Sequence, residues 1–295
     1  RLGIGERTLR SKYPGLIYVS VSGFGDQGPL SHKPVYDPII QALSGATDIQ
    51  ADRKTGRPNM FRVIPADKVS ALTAAQAISS ALFHRERSGE GQHIRLSMLE
   101  ATVAFLWPEG MSGLVFADQK VDIRKTFSSI DLIYATSDGH ITISVISDKE
   151  WKGICEALGR EDLIEDERFC SALARRKNAD LRRQVVGAEV QKWTTDTLLK
   201  KLDAADVPCA PLLDRAELLD HPQIREGQAI EHEQVSGFGE VRQARPAARF
   251  SQTESAIRLR APRLGEHSRE ILASLGFSEQ EQDSLIEDDI ARQYG

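Results

Sequence analysis

Apolar and polar positions divide the chain into segments of different period. Residues 6–12 have helical character and stop at Pro14-Gly15. Leu16 to Ser22 follows as a β-branched, apolar run with little polar alternation, which predicts a strand buried on both faces of a parallel sheet. A Gly/Pro-rich loop occupies 23–38, and a short apolar helix over 39–45 ends at Gly45. Residues 51–60 read as a polar, exposed turn. The clearest helix spans 68–87, where Val69, Leu72, Ala75, Ile78 and Leu82 keep a helical period. Alanine and serine fill most of its other positions, so it can pack closely against neighbours on several sides. Ser88-Gly-Glu-Gly91 terminates it. His93 to Ser97 alternates as a strand, and Met98 to Trp107 reads as a buried helix.

From Ile133 the texture changes. Tyr134-Ala-Thr-Ser-Asp-Gly139 turning into His140-Ile-Thr-Ile-Ser-Val-Ile146 predicts a hairpin and strand. Charged helical segments follow from 149 to about 205, then a short strand over Val207–Leu213. A Pro/Gly-rich stretch covers 235–262, and one final helix starts near Glu266. The pattern is α/β with at least two lobes, the second opening near residue 131. No internal repeat or low-complexity tract interrupts it.

Composition narrows the function classes. The 295 residues are 40% apolar and 27% charged, which fits a globular chain of one large or two ordinary domains. Lys and Arg total 38 against 43 Asp and Glu, a net charge of -5, so the basic footprint of a nucleic-acid binder is missing. Apolar runs such as Val103–Trp107 fall far short of the roughly 20 residues of a membrane span. Cys155, Cys170 and Cys209 are too few and scattered for a disulfide framework or zinc site, which leads to an expectation of free thiols in a reducing cytoplasm. The chain opens on Arg1 rather than Met, and its first residues read as the middle of a longer segment.

Gly23-Phe-Gly-Asp-Gln-Gly28 is a literal G-x-G-x-x-G after a strand. A dinucleotide site needs a helix to open at the third glycine, because the pyrophosphate sits on that helix's first amides. Pro29, Pro34 and Pro38 follow, so no continuous helix starts there and the loop is an ordered connection at a strand's carboxyl end. Asp67 stands just ahead of the expected long helix, after Ile64-Pro-Ala66. As N-cap it would serve structure; as an ionised carboxylate beside a helix dipole it could also attack an acyl carbon. Glu100 reads as a helix-start charge or a buried partner for an arginine, Asp37 as a turn residue, and His84 as solvated. No Ser/His/Asp order, H-E-x-x-H or P-loop is present, and no metal site is expected.

Several segments carry a resemblance in their order and spacing. They are Leu16 to Pro29, Tyr36-Asp37 with Gln41-Ala-Leu-Ser-Gly45, Pro65-Ala-Asp67, Ala81 to Gln92, and Leu96-Ser-Met-Leu-Glu-Ala101. Later come Tyr134–Gly139, Val207-Pro-Cys-Ala-Pro211, His221-Pro-Gln223 and Ala261-Pro-Arg-Leu-Gly-Glu-His267. Together they resemble the family III CoA-transferases, the group of formyl-CoA and carnitine CoA-transferases, over essentially the whole chain.

The resemblance implies a Rossmann-like large domain whose first strands would precede Arg1. Residues 1–115 and 226–295 would form that domain, 116–130 a linker and 131–225 a smaller α+β domain, in interlocked homodimers. By the same resemblance Asp67 is the nucleophile, and Arg1, Leu2, Lys33, Pro34, Val35, Tyr36 and Asp37 match the CoA contacts. Pro34 replaces a lysine of some members, with Lys33 next door. Coenzyme A is substrate and carrier, no further cofactor is implied, and the partners are acyl-CoA and small carboxylic acids. The family also holds α-methylacyl-CoA racemases, whose histidine base belongs where Tyr36 stands. A phenol titrates near ~10 and is a poor base at neutral pH, so Tyr36 favours transfer. Residues 118–131 contain no glycine, unlike the glycine-run lid of formyl-CoA transferases, which points to another carboxylate pair. A nucleotide-dependent oxidoreductase built on Gly23–Gly28 is the rival from a different class.

Overall fold

The computed structural model describes residues 2–52, 54–118, 132–235 and 237–294. It forms two compact units, Arg1–Pro211 and Leu212–Gly295. The first unit opens with α1 (Glu6–Lys12), β1 (Tyr18–Ser22), α2 (Asp37–Leu43), α3 (Ala46–Ile49), α4 (Pro65–Ser88), β2 (His93–Ser97) and α5 (Met98–Gly110). β1 and β2 pair in parallel, from Tyr18 beside His93 to Ser22 beside Ser97. A parallel pair needs a long crossover, and α2 to α4 supply it. β1 starts at Tyr18 rather than Leu16, and Val21 is 55% exposed, so burial on both faces is not found among the described residues.

Two helices begin earlier than their sequences suggest, for one reason. Proline is tolerated in a first turn, where an N–H has no intrahelical partner to lose. α4 therefore starts at Pro65, not Lys68, and Asp67 sits inside its first turn rather than at the N-cap. The N-cap is Ile64, which has no side chain that can cap. α2 likewise takes in Asp37 and Pro38, so Asp37 is a helical residue and not a turn. α4 ends where Gly89 adopts the left-handed conformation and donates to the Arg85 carbonyl. Its buried positions are Ala66, Ser70 and Ala81, whereas Leu72 and Leu82 of the apolar stripe are exposed. The close-packed face of this helix is its small-residue face.

The same unit continues with β3 (Ile133–Ala135), β4 (His140–Ile143) and β5 (Cys209–Pro211), an antiparallel sheet in the order β3-β4-β5. Between β4 and β5 come α6 (Asp148–Leu158), α7 (Ala172–Lys177), α8 (Ala179–Val190) and α9 (Thr195–Ala204). A capping box fixes the start of α6: Glu150 N–H donates to Ser147 Oγ, and the Glu150 carboxylate accepts from the Ser147 N–H. Ile141, Ile143, Trp151, Ile154, Phe169, Val190, Leu198 and Leu202 are each no more than 2% exposed and belong to one apolar cluster. Arg175 is buried against it, with Nη2 on Asp148 Oδ1 at 2.6 Å and Nη1 on the Phe169 carbonyl at 3.0 Å.

In the second unit, α10 (Glu217–Asp220) and α11 (Pro222–Glu226) precede β6 (Ile230–Val235) and β7 (Gly239–Ala244). These strands form an antiparallel hairpin, so part of the expected Pro/Gly-rich connection is regular structure. Gly237 and Gly239, both with positive φ, make the reversal between two alternating runs. The single expected C-terminal helix is two, α12 (Ser268–Ser274) and α13 (Glu279–Glu287). Gly276 turns left-handed between them, and Ser278 with Glu281 closes a capping box on the second.

Candidate functional site

The first turn of α4 is the chemical focus. Its leading N–H groups need acceptors, and the Ile64 side chain offers none. The acceptor comes from α2: Asp37 Oδ2 takes the Ala66 N–H at 2.7 Å and the Asp67 N–H at 3.3 Å. The other oxygen, Oδ1, accepts from Gln41 Nε2, one helical turn further along α2. Gln41 Nε2 also reaches the Val63 carbonyl at 3.3 Å, and its Oε1 accepts the Phe61 N–H at 2.9 Å. Asp37 and Gln41 are 2% and 1% exposed. A buried carboxylate is tolerable here because amides and the positive end of a helix dipole surround it.

The Asp67 side chain, in contrast, is exposed. It opens on a concavity of about 230 Å³ lined by Val21, Asp67, Ser70, Ala71, Ala74 and Met98. Asp67, Ser70, Ala71 and Ala74 share one face of α4 by their spacing of three, four and seven. Val21 contributes from the end of β1 and Met98 from the start of α5, so the concavity lies at the carboxyl edge of the parallel pair. That edge is where open α/β sheets hold ligands. None of the lining residues is cationic. Small side chains along α4 leave room for an acyl carbon to approach the carboxylate.

The loop after β1 is held against the same edge. Ser97 Oγ donates to the Gly23 carbonyl at 3.4 Å and accepts the Glu100 N–H at 3.2 Å as the N-cap of α5. Gly23 must be glycine: a Cβ there would lie 1.9 Å from Val35 Cγ1. Gly28 is followed by loop until α2 begins at Asp37, so no helix opens at the third glycine and the pyrophosphate cradle of a dinucleotide site is not formed. Glu100 is exposed in the first turn of α5, a helix-start charge, and His84 is exposed on α4.

Of the residues expected to touch CoA, Lys33, Pro34, Val35 and Tyr36 lead directly into α2 and hence to the Asp37–Asp67 contact. Tyr36 is 80% exposed, Lys33 and Pro34 are exposed, and Val35 is half-buried against Gly23. Leu2 is 82% exposed just ahead of α1. The Ile4 carbonyl accepts from Tyr18 Oη, and Arg10 donates to the Gly91 carbonyl, which ties α1 to the amino ends of the strands. Of these residues the structure brings only Asp37 into contact with Asp67, and it ties Ile4, two residues after Leu2, to Tyr18 at the start of β1. Arg1 lies outside the described residues, as do 119–131 of the glycine-free segment 118–131.

Sequence reasoning missed Gln41, Ser70 and Met98 as parts of this region. Only Gln41 left a signal, its spacing of four from Asp37 on a helix. Among the described residues no group of three His, Cys, Asp or Glu could hold a metal ion, and no helix is long and apolar enough to cross a membrane.

Comparison with known proteins adds the chemistry of relatives. The sequence profile of CoA-transferase family III matches residues 1–268. Succinate–glutarate CoA-transferase of Agrobacterium fabrum is 31% identical over 278 residues, which cover 93% of this chain and 69% of that protein. Succinyl-CoA:mesaconate CoA-transferase of Haloarcula marismortui is 31% identical over 285 residues, 92% of this chain and 69% of its own. Among solved structures, Rv3272 from M. tuberculosis superposes with a TM-score of 0.78 at 26% identity, over 91% of this chain and 72% of that one. A CAIB/BAIF family protein from Brucella suis gives 0.75 at 29% identity, over 92% and 71%.

Proposed function

The chain belongs to CoA-transferase family III, and on that premise we propose that it moves coenzyme A from an acyl-CoA to a free carboxylic acid through covalent intermediates on Asp67. The observation that carries this reading is the presentation of Asp67: an exposed carboxylate in the first turn of a long helix, on a concavity whose other lining residues are uncharged, with its backbone N–H held by Asp37.

The steps balance without another reagent. An Asp67 oxygen attacks the thioester carbon of the donor, and the C–S electron pair leaves with CoA thiolate, giving an aspartyl–acyl anhydride. The thiolate then attacks the aspartyl carbonyl and expels the donor carboxylate, leaving CoA as a thioester on Asp67. The acceptor carboxylate attacks that carbonyl and releases the thiolate. Return of the thiolate to the acceptor's acyl carbon makes the new acyl-CoA and frees Asp67. One difficult exchange becomes four easier ones. Backbone N–H groups of the Gly23–Gly28 loop, other than that of Gly25, which Ser22 Oγ accepts, would serve as donors to developing oxyanions.

In this reading Lys33 to Tyr36, with Arg1 and Leu2, contact the CoA moiety, and the enzyme is a cytoplasmic homodimer. Relatives named for succinate, glutarate and mesaconate put a succinyl donor first among candidates. The test is mass spectrometry of the protein incubated with a panel of acyl-CoAs, succinyl-CoA included. A CoA adduct on the Asp67 peptide, absent from Asp67→Asn, is the expected result. Deuterium wash-in at an α-carbon without acyl exchange would instead identify a racemase. Tight NAD binding without CoA binding would identify an oxidoreductase.

A further inference from the structure

We infer that Asp37, together with Gln41, is a positioning residue for the Asp67 chemistry and acts from inside the protein rather than on CoA. The inference rests on the reading of Asp67 as nucleophile.

Three strands of geometry support it. First, α4 begins without a local cap, and the carboxylate that satisfies its first amides comes from a residue 29 and 30 positions upstream. One of those amides belongs to Asp67 itself. Second, Gln41 extends the same grip backwards along the strap that leads into the helix, holding the Phe61 N–H and the Val63 carbonyl. The backbone is thereby pinned at Phe61, Val63, Ala66 and Asp67. Third, both oxygens of Asp37 and both terminal atoms of Gln41 are engaged with protein, in side chains 2% and 1% exposed. Tyr36, the neighbour of Asp37, is 80% exposed. Adjacent residues therefore divide the work: Tyr36 faces outward, and Asp37 faces the helix start.

The catalytic consequence follows from reach. A carboxylate on a short side chain attacks well only when its backbone is placed to within a fraction of an ångström, and a misplacement of about 1 Å costs about a hundredfold in rate. Without Asp37, the Ala66 and Asp67 amides must find water, and the first turn of α4 frays. An asparagine at 37 keeps one oxygen for those amides but turns its NH₂ toward Gln41 Nε2, a donor facing a donor. The strap is then half released.

The experiment compares Asp37→Asn, Asp37→Ala and Ser147→Ala with the wild type, using the acyl-CoA that labels Asp67. Ser147 caps α6, away from the concavity, so its variant measures what losing a helix cap does by itself. We expect kcat to fall about tenfold in Asp37→Asn and about a hundredfold in Asp37→Ala, with KM for acyl-CoA within about twofold. Appearance of the CoA adduct on Asp67 should slow in parallel, and Ser147→Ala should keep the wild-type kcat. A raised KM with kcat preserved would make Asp37 a CoA contact and overturn the inference. So would wild-type kcat in both Asp37 variants. If Asp37→Ala does not fold, the kcat and KM of Asp37→Asn decide the matter alone. A wild type that transfers CoA without ever carrying it on Asp67 would defeat the nucleophile reading, and this inference with it.

Discussion

Around β3, β4 and β5 most side chains withdrawn from water are apolar, among them Trp151, Ile154, Phe169, Val190, Leu198 and Leu202, with Arg175, Arg182 and Thr136 the polar exceptions. Around β1 and β2 they are Asp37, Gln41, Ser44, Ser70, Ser97 and Thr102, beside Ile40 and several alanines. The first region is held by apolar area, at about 25 cal/mol per Å² removed from water. The second is held by directional bonds: Asp37 to α4, Gln41 to the strap, Ser97 to the Gly23 loop. Apolar burial is non-directional, whereas a polar network fixes individual backbone groups at stated distances. If Asp67 acts as proposed, the region that must place one carboxylate accurately is the polar one.

The comparison can be broken most severely at Asp67. Asp67→Asn should lower transfer by about a thousandfold or more, because an amide is no nucleophile, while leaving thermal stability close to wild type. An unfolding midpoint that fell with the rate would mean that this exposed side chain serves the fold. Next in size is the core. Leu198→Ala, at 0% exposure, should cost about 2–5 kcal/mol in denaturant unfolding. Leu72→Ala, at 73% exposure on α4, should stay within about 0.5 kcal/mol. Equal costs at the two positions would erase the contrast between the regions.

The smallest effect concerns acid. Hydrogen bonds from the Thr195 N–H and hydroxyl hold the Asp138 carboxyl below its ordinary range, and those from the Ser147 and Ile146 amides do the same for Glu150. A carboxyl whose folded pKa lies below its unfolded value stabilises the fold above that unfolded value. The contribution is lost as pH falls through the folded pKa. Unfolding followed from pH 7 downward should therefore show these contributions disappearing below about pH 4. Asp138→Asn should flatten that acid limb, and an unchanged limb would remove Asp138 from the account.

What could be read from sequence was local, and what escaped was not. The helical period of α4, the two strands that bracket it and the hairpin from Ile133 all follow from neighbouring residues, whereas the pairing of those two strands does not. The start of α4 was marked only by Pro65 in its first turn, because the side chain that caps it lies on another helix. The buried face of α4 was misplaced for a related reason. Leu72 and Leu82 are the obvious apolar positions, yet Ala66, Ser70 and Ala81 make the close contacts. The β6–β7 hairpin was hidden because its polar faces gave only a weak alternating signal. Asp67 stood out by its place at the start of the helix, and the resemblance assigned it the nucleophile's role, whereas the part played by Asp37 required seeing where its oxygens go.

The most direct test of the central claim follows oxygen rather than rate. An acceptor carboxylate labelled in both positions with heavy oxygen is turned over, and the peptide containing Asp67 is weighed afterwards. If the acceptor attacks a thioester on Asp67, one heavy oxygen stays on that side chain when the thiolate departs with the new acyl group. Heavy oxygen in the Asp67 peptide is the result predicted. Labelled acyl-CoA product with an unlabelled Asp67 peptide would show that CoA passes between acids without touching this carboxylate.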